Sequence, residues 1–173
     1  SFVSMLIHAQ LGPEVPFSIS IEPIQGTFIT GTHSSAIAKS GDKWLVIGGR
    51  LNKVFAYSQA GTIGGGQCNY IVGAYGKNAD ANFTTIAGGL CNRICQGKYG
   101  SIVGGRSNII CSPGDCGFIG GGSGNTVTAF FGVVGGGYKN TATGACSIVS
   151  GGMYNIATVA HAVIAGGCLN KAY

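Results

Sequence analysis

Charge is scarce in this 173-residue chain: Asp, Glu, Lys and Arg make up only 9% of it, against about 25% in an average soluble protein. Leucine is also rare, with six copies, which argues against long amphipathic helices and a globular α/β enzyme. The chain has four prolines and no glycine at every third position, so it is not collagen. Since 45% of its residues are hydrophobic, the low charge does not indicate disorder.

Long apolar runs and blocks of like charge are missing as well. No stretch of about 18 apolar residues occurs, so no membrane-spanning helix is predicted. Ten Lys and Arg against five acids give a formal net charge of +5, but the bases are scattered singly along the sequence. Without a basic block or interleaved aromatic residues, the sequence does not predict specific nucleic-acid binding.

Glycine is the residue in excess, with 33 copies, and it marks an internal repeat. The unit reads apolar-x-Gly-Gly-x-x-Asn and occurs eight times, with a basic period of 15 residues and short insertions in the early copies. An Ile or Val lies six positions before each asparagine, and a Val, Ile or Ala lies two positions after it. The repeated asparagines are Asn52, Asn69, Asn92, Asn108, Asn125, Asn140, Asn155 and Asn170.

A 15-residue period predicts a parallel β-solenoid, because a helical-hairpin repeat needs about 30 residues or more. Each circuit of the chain, called a coil below, would hold two strands of about four residues, with the two apolar columns as a thin core. Gly-Gly would allow the bend between the strands, and the asparagines would stack inside it as a ladder. We expect about eight coils over residues 44–173, rising about 4.8 Å each. Residues 1–43, with candidate strands at 17–21 and 27–29, form a non-repeating attachment or capping segment.

Two further columns carry aromatic and aliphatic side chains that strand alternation turns away from the core. A coil this thin buries little apolar area, so a single copy would be marginally stable. Three copies packed or intertwined around a threefold axis would cover these columns, which favours a homotrimer. One column is Ala60, Phe83, Tyr99, Cys116, Phe131, Cys146 and His161; the other is Leu45, Thr62, Thr85, Ser101, Phe118, Val133, Ile148 and Val163.

The motif Gly/Ser-x-Val-x-Gly-Gly-x-x-Asn-x-Ala-Thr is clearest at 132–143 and 147–158. It resembles the head repeats of trimeric autotransporter adhesins, and equally the β-roll repeats of phage and large-virus fibres. The resemblance covers residues 44–173 and implies a left-handed, homotrimeric parallel β-roll that projects from a surface and contacts a host. The Gly-Gly-x-x-Asn form is closer to the viral version. Seven cysteines and the insertion near 73–82 depart from the pattern, and neither a membrane anchor nor stalk heptads are present.

The function expected from these features is a structural and host-adhesive segment of a trimeric virion or phage fibre. Its partners would be itself, other virion or appendage proteins through residues 1–43 or the uncapped C-terminal end, and a host glycan or protein. The alternative is the head of a bacterial trimeric surface adhesin. A monomeric ice-binding-like solenoid is disfavoured, because Cys95 and Cys111 interrupt the column of Thr128, Thr143 and Thr158. The expected location is a virion appendage or the cell surface.

The cysteines fall into columns of the repeat. Cys68 and Cys91 share a column on consecutive coils, and so do Cys95 and Cys111. Stacked positions about 4.8 Å apart are within reach of a disulfide, so both pairs are disulfide hypotheses, with small apolar filler as the alternative. The spacing of Cys91, Cys95, Cys111 and Cys116 superficially resembles a four-cysteine zinc site, but Cys91 and Cys116 occupy different columns. No metal is expected.

Catalytic residue sets are missing from the repeat. No two of the five acids share a column, and of the three histidines only His161 lies in a repeat. Nucleophile-elbow, phosphate-loop and zinc-protease motifs do not occur, so neither an enzyme nor a cofactor is expected. Recognition is expected on insertions, mainly residues 74–82, with smaller ones at 96–98 and 113–115. The candidate receptor-contact residues are Tyr75, Lys77, Asn78 and Asp80.

Overall fold

Eighteen short strands form two sheets in the computed structural model, which describes residues 28–29, 35–36, 44–55, 60–73, 82–111 and 113–173. These ranges contain no helix, and therefore none that could cross a membrane. The strands are β1 (Phe28–Ile29), β2 (Ser35–Ala36), β3 (Trp44–Val46), β4 (Lys53–Val54), β5 (Gly61–Ile63), β6 (Tyr70–Val72), β7 (Thr85–Ile86), β8 (Arg93–Cys95), β9 (Ser101–Ile102), β10 (Ile109–Cys111), β11 (Phe118–Ile119), β12 (Thr126–Val127), β13 (Val133–Val134), β14 (Thr141–Ala142), β15 (Ile148–Val149), β16 (Ile156–Ala157), β17 (Val163–Ile164) and β18 (Lys171–Ala172).

Every strand pairs in parallel with the strand two further along the chain. The odd-numbered strands form one nine-stranded sheet, called the odd sheet, and the even-numbered strands form the other, called the even sheet. In the later coils, residues 15 apart are partners, as in Val134 with Val149 and Ala142 with Ala157. The predicted parallel β-solenoid is confirmed, although each strand has two or three residues instead of about four.

A third line of pairing runs between the two sheets, which the sequence did not predict. In each coil, the residue two positions before the ladder asparagine makes an isolated parallel bridge to its counterpart in the next coil. Because only one residue per coil takes part, the sequence shows no alternation of apolar and polar residues here that would predict a strand. The bridged residues are Arg50, Gln67, Leu90, Arg106, Ser123, Tyr138, Met153 and Cys168.

The sheets also extend before the first copy of the motif. Strand β1 pairs with β3, and β2 pairs with β4. Both sheets therefore begin inside residues 1–43, which the sequence predicts to be a non-repeating segment. This strand pair lacks the Gly-Gly-x-x-Asn signature, which is why the motif count passes over it. Strand β1 lies within the candidate strand 27–29, whereas the candidate strand 17–21 lies outside the described residues.

The core is a thin double column of side chains facing each other between the sheets. Burying each Val or Ile contributes about 1.5–3 kcal/mol, and every coil adds one residue from each sheet. The even-sheet column narrows from Ile or Val to Ala in the last coils. The odd-sheet core residues are Val46, Ile63, Ile86, Ile102, Ile119, Val134, Val149 and Ile164, and the even-sheet ones are Val54, Ile71, Ile94, Ile110, Val127, Ala142 and Ala157.

Candidate functional site

A ladder of asparagines runs along the solenoid beside the hydrophobic core. The backbone N–H of each asparagine from Asn69 to Asn170 donates to the side-chain Oδ1 of the asparagine one coil earlier, at 2.9–3.0 Å. The ladder asparagines from Asn52 to Asn155 are completely buried. Because a buried unsatisfied polar group costs about 1–3 kcal/mol, each coil must keep this register for the next one to stack on it.

The amide nitrogens of the ladder bind glycine carbonyls. Nδ2 of Asn140 donates to the carbonyl of Gly136 in its own coil and to that of Gly152 in the next coil, both at 2.9 Å. Direct bonds between ladder side chains accompany this pattern at Asn52–Asn69 and Asn140–Asn155, each at 3.1 Å. The side chain therefore closes the Gly-Gly bend of one coil and fastens it to the following coil.

The two glycines of each pair have different structural roles. Gly137 has a φ of 89°, and a Cβ there would overlap the carbonyl oxygen of Gly152 and lie 2.7 Å from Nδ2 of Asn140. A Cβ on Gly136 would meet nothing within 4 Å. The second glycine is thus required because consecutive coils approach too closely for any side chain.

Two corners in every coil have left-handed backbone, mostly at residues other than glycine. The residue before each ladder asparagine has φ of 51–68°, and the residue three positions before each odd-sheet core residue from Ile63 to Ile164 has φ of 53–61°. Such conformations cost roughly 1–2 kcal/mol per residue. Corner N–H groups donate to carbonyls one coil earlier, as from Lys139 to Ser123 and from Cys146 to Phe130, which offsets part of that cost. The corner side chains consequently point outward in stacked columns.

The outer face of the odd sheet has no Lys, Arg, Asp or Glu in the described coils from residue 45 onward. We call it the uncharged face. Large hydrophobic side chains are exposed on it, including Phe131 at 59% and Val163 at 65%, and the rings of Phe83 and Tyr99 stack with centroids 5.4 Å apart. Exposed apolar side chains grouped in this way are typical of interaction surfaces. It comprises the two columns predicted from the sequence, together with Ile47, Gly64, Ala87, Val103, Gly120, Gly135, Ser150 and Ala165.

Six of the seven basic residues in the described ranges, all except Lys98, lie on the other two sides of the solenoid. They lie in the outward columns of the even sheet, in the bridge line and at the adjacent corner, and no acid in the described ranges lies among them. Sequence reasoning missed this grouping because it counted neighbours along the chain, whereas column positions in the repeat would have revealed it. This set, called the basic face, consists of Arg50, Lys53, Arg93, Arg106, Lys139 and Lys171.

The two cysteine pairs that share columns differ in the structure. Cys95 and Cys111 are register partners at the ends of β8 and β10, and they form a disulfide with a Cα–Cα distance of 4.6 Å. Cys68 and Cys91 are free thiols, so the second disulfide hypothesis is corrected. They lie on left-handed corners, outside the strand pairing that aligns Cys95 with Cys111.

Cys91 and Cys68 nevertheless interact. The pKa of the Cys91 thiol is raised, first by its partial burial and then by the neighbouring charge and hydrogen bond of Cys68. Because the thiolate is the reactive form, this shift makes Cys91 a weaker nucleophile at neutral pH. The remaining cysteines in the described ranges, Cys116, Cys146 and Cys168, are also free.

The insertions divide into one outside the described residues and two inside them. The candidate contact residues Tyr75, Lys77, Asn78 and Asp80 lie outside the described residues. In the smaller insertions, the backbone N–H of Lys98 donates to Oδ1 of Asp115 at 2.8 Å. Asp115 thereby links two neighbouring corners, and it is the only acid in the described part of the chain. No three His, Cys, Asp or Glu side chains in that part lie close enough to share a metal ion.

The fold and the ladder define the chain as a repeat protein, a parallel β-solenoid consistent with a β-roll. No protein-family model and no curated protein matches the sequence. The class therefore rests on the geometry of the coils themselves.

Proposed function

We propose that this chain is a non-enzymatic, homotrimeric segment of a virion or phage fibre, serving as a stiff spacer and contributing to host attachment. The observation that carries the proposal is the uncharged face. It extends along the coils on one side only, while six of the seven bases in the described ranges occupy the other two sides. A surface without charge on a chain that otherwise exposes its bases is suited to burial against identical surfaces.

The energetics favour association through this face. Exposed side chains such as Phe118, Phe131 and Val163 would each contribute up to about 1.5–3 kcal/mol when buried in an assembly. A lone solenoid has a core only two side chains wide, so it gains more from association than a thicker domain does. Three copies meeting around an axis would leave the basic face outward, where a host surface is accessible.

Stiffness follows from the bonds along the axis. Two sheets, the bridge line and the asparagine ladder all join consecutive coils, so bending the rod strains several sets of hydrogen bonds together. We propose that such a rod lies in a virion appendage, with the resemblance to viral fibre repeats supporting a virus over a bacterium. The head of a bacterial trimeric adhesin remains the second candidate, since it would use the same uncharged face.

Light scattering tests the trimer, with an expected mass of three times 17.4 kDa. Val133→Lys places a charge on the uncharged face and should dissociate the assembly. Thr141→Lys is the matched control, because it adds the same charge to the same coil on the even sheet and should leave the trimer intact. A monomeric wild type, or equal dissociation by both variants, would contradict the proposal.

A further inference from the structure

We propose that the basic face binds a linear anionic polysaccharide, carrying sulfate or carboxylate groups, that lies along the solenoid axis. This inference deepens the attachment role and rests on the proposed function, because the basic face is outward only if the trimer forms through the uncharged face.

The bases form a band along the solenoid, three adjacent columns wide, although they are dispersed in the sequence. Arg50 and Lys53 lie in one coil, Arg93 lies two coils further on, Arg106 in the next coil, and Lys139 and Lys171 follow at intervals of two coils. Neighbouring strands are about 4.8 Å apart, so successive bases are separated by roughly 5–10 Å along the axis. A polymer lying along the rod would meet a cation at every one or two coils.

The positive charge of the basic face is not balanced by acids of the chain, so a partner that packs closely against this face must carry negative charge. Six bases lie on this side, and the only acid in the described ranges, Asp115, is at a different corner, where it accepts the N–H of Lys98. A second copy of the chain would bring like charges together here, which disfavours self-association through this face. A polymer with regularly spaced anionic groups supplies the complementary charge.

Near the centre of the basic face, Lys139 lies close to two tyrosine rings and affects the pKa of one of them. The Lys139 Nζ lies 5.3 Å from the ring centroid of Tyr138 and 5.6 Å from that of Tyr154. The pKa of Tyr138 is lowered, mainly by a hydrogen bond with Tyr154, then by Lys139, with a further contribution from the charge of Arg106. The charges of Lys139 and Arg106 therefore favour a negative group at this position, on a face that is open to solvent.

The spacing and the polar groups favour a polysaccharide over a nucleic acid. Duplex DNA has one negative charge per about 1.7 Å, a much higher density than the bases on this face. The rings of Tyr138 and Tyr154 pack edge-to-face against each other near Lys139, which leaves no pair of parallel rings for base stacking. Between the bases lie hydroxyl and amide groups suited to sugar hydroxyls, namely Gln67, Tyr70, Ser107, Ser123, Thr126 and Thr141.

Heparin, used as a representative sulfated polysaccharide, tests the inference by calorimetry on the trimer across a salt series. Combined replacement of Arg93, Arg106 and Lys139 by Ser should weaken binding by roughly tenfold or more and reduce its salt dependence. The matched control is Lys98→Ser, which removes a base that lies off the basic face and should leave the affinity nearly unchanged. These side chains point outward, and circular dichroism with light scattering checks that each variant keeps its fold and mass.

The outcomes separate the inference from the proposed function. A trimer that does not bind heparin, or that loses affinity equally with Lys98→Ser and the triple variant, overturns the polysaccharide site and leaves the trimer standing. A monomer that binds heparin through the basic face overturns the trimer alone. Tighter binding to single-stranded or duplex DNA than to heparin at equal salt would replace the polysaccharide by a nucleic acid and reject the inference.

Discussion

Asn140 donates its backbone N–H to the side-chain Oδ1 of Asn125 at 2.9 Å, and this bond joins two coils through an amide side chain buried beside the core. The same asparagine fastens two glycine carbonyls through its Nδ2. One side chain thus binds carbonyl groups of the Gly-Gly bend in two consecutive coils.

Asn140→Asp should destabilise the solenoid by about 3–5 kcal/mol at neutral pH, because a buried carboxylate would replace an amide donor opposite two carbonyls. The pKa of that carboxyl would be raised in the folded state, because it is buried and because the oxygen replacing Nδ2 would face the carbonyl oxygens of Gly136 and Gly152. The penalty should therefore be largest well above the usual carboxyl pKa of about 3.9 and should shrink as pH falls towards it. Urea unfolding at neutral and acidic pH measures it. Thr141→Asp, which places the charge outside, serves as control, and equal losses in both variants would refute the ladder's role.

Gly137→Ala should be severely destabilising, by about 3 kcal/mol or more, because the added Cβ collides with the backbone of Gly152 at a positive φ. Gly136→Ala is the matched control one residue away, where a Cβ meets nothing within 4 Å, and it should change stability by less than about 1 kcal/mol. Thermal unfolding of the two variants compares them directly. Similar melting temperatures would show that coil spacing does not depend on the second glycine.

Ser147→Ala should raise stability by about 1 kcal/mol. The Ser147 side chain is completely buried, and its hydroxyl oxygen has no hydrogen-bond partner in the described part of the structure. Removing the hydroxyl removes an unsatisfied polar group without changing the backbone. Ser150→Ala, at an exposed position in the same coil, should have almost no effect. A loss of stability in Ser147→Ala, measured by denaturant titration, would mean that the hydroxyl is bonded.

Reduction of the disulfide between Cys95 and Cys111 should lower stability by about 3 kcal/mol, because the bond closes a loop with a sequence separation of 16. Unfolding with and without reductant measures this contribution. A double variant with Ala at both positions should unfold like the reduced wild type and show no response to reductant. Mass mapping without reductant should find Cys68 and Cys91 alkylated as thiols, and alkylation of all seven cysteines would rule out the native disulfide.

Tyr138 should ionise below the ordinary tyrosine pKa of 10.0, because Tyr154 and Lys139 both stabilise its phenolate. Absorbance titration of the wild type against Tyr138→Phe isolates its transition. Tyr154→Phe and Lys139→Met should each move that transition to higher pH, with the larger effect expected for Tyr154→Phe. Lys98→Met should leave it in place. An unshifted titration in the wild type would show that the corner side chains are not held together.

The period of the repeat was sufficient to predict which residues face the core. Ile71 and Ile86, which precede and follow the insertion near 73–82, are both completely buried, since only one alignment of the columns is consistent with eight asparagines. Column arithmetic treats Cys68–Cys91 and Cys95–Cys111 as equivalent, however. In the structure, Cys95 and Cys111 lie at paired strand ends, whereas Cys68 and Cys91 lie at left-handed corners. The spacing of the cysteines in the sequence does not distinguish these two positions.

The basic face and the different roles of the two glycines were not predicted from the sequence, and the reasons are related. Arg93 and Arg106 are 13 residues apart, and their grouping emerges only when the chain is wound into coils with the third, bridged side in place. Gly137 is required because the backbone of the following coil lies against it. The repeat shows that both glycines recur, but it does not show which of the two contacts the next coil.

Because the asparagine ladder joins similar coils, the length of the rod can change in steps of one coil. Each coil recognises only the coils on either side of it, through bonds that are the same at every step from Asn108 to Asn155. Duplication or deletion of one fifteen-residue unit within the gene would therefore lengthen or shorten the solenoid by one rise, without new compensating substitutions. Recombination between copies of the repeat can thus change the length of the rod.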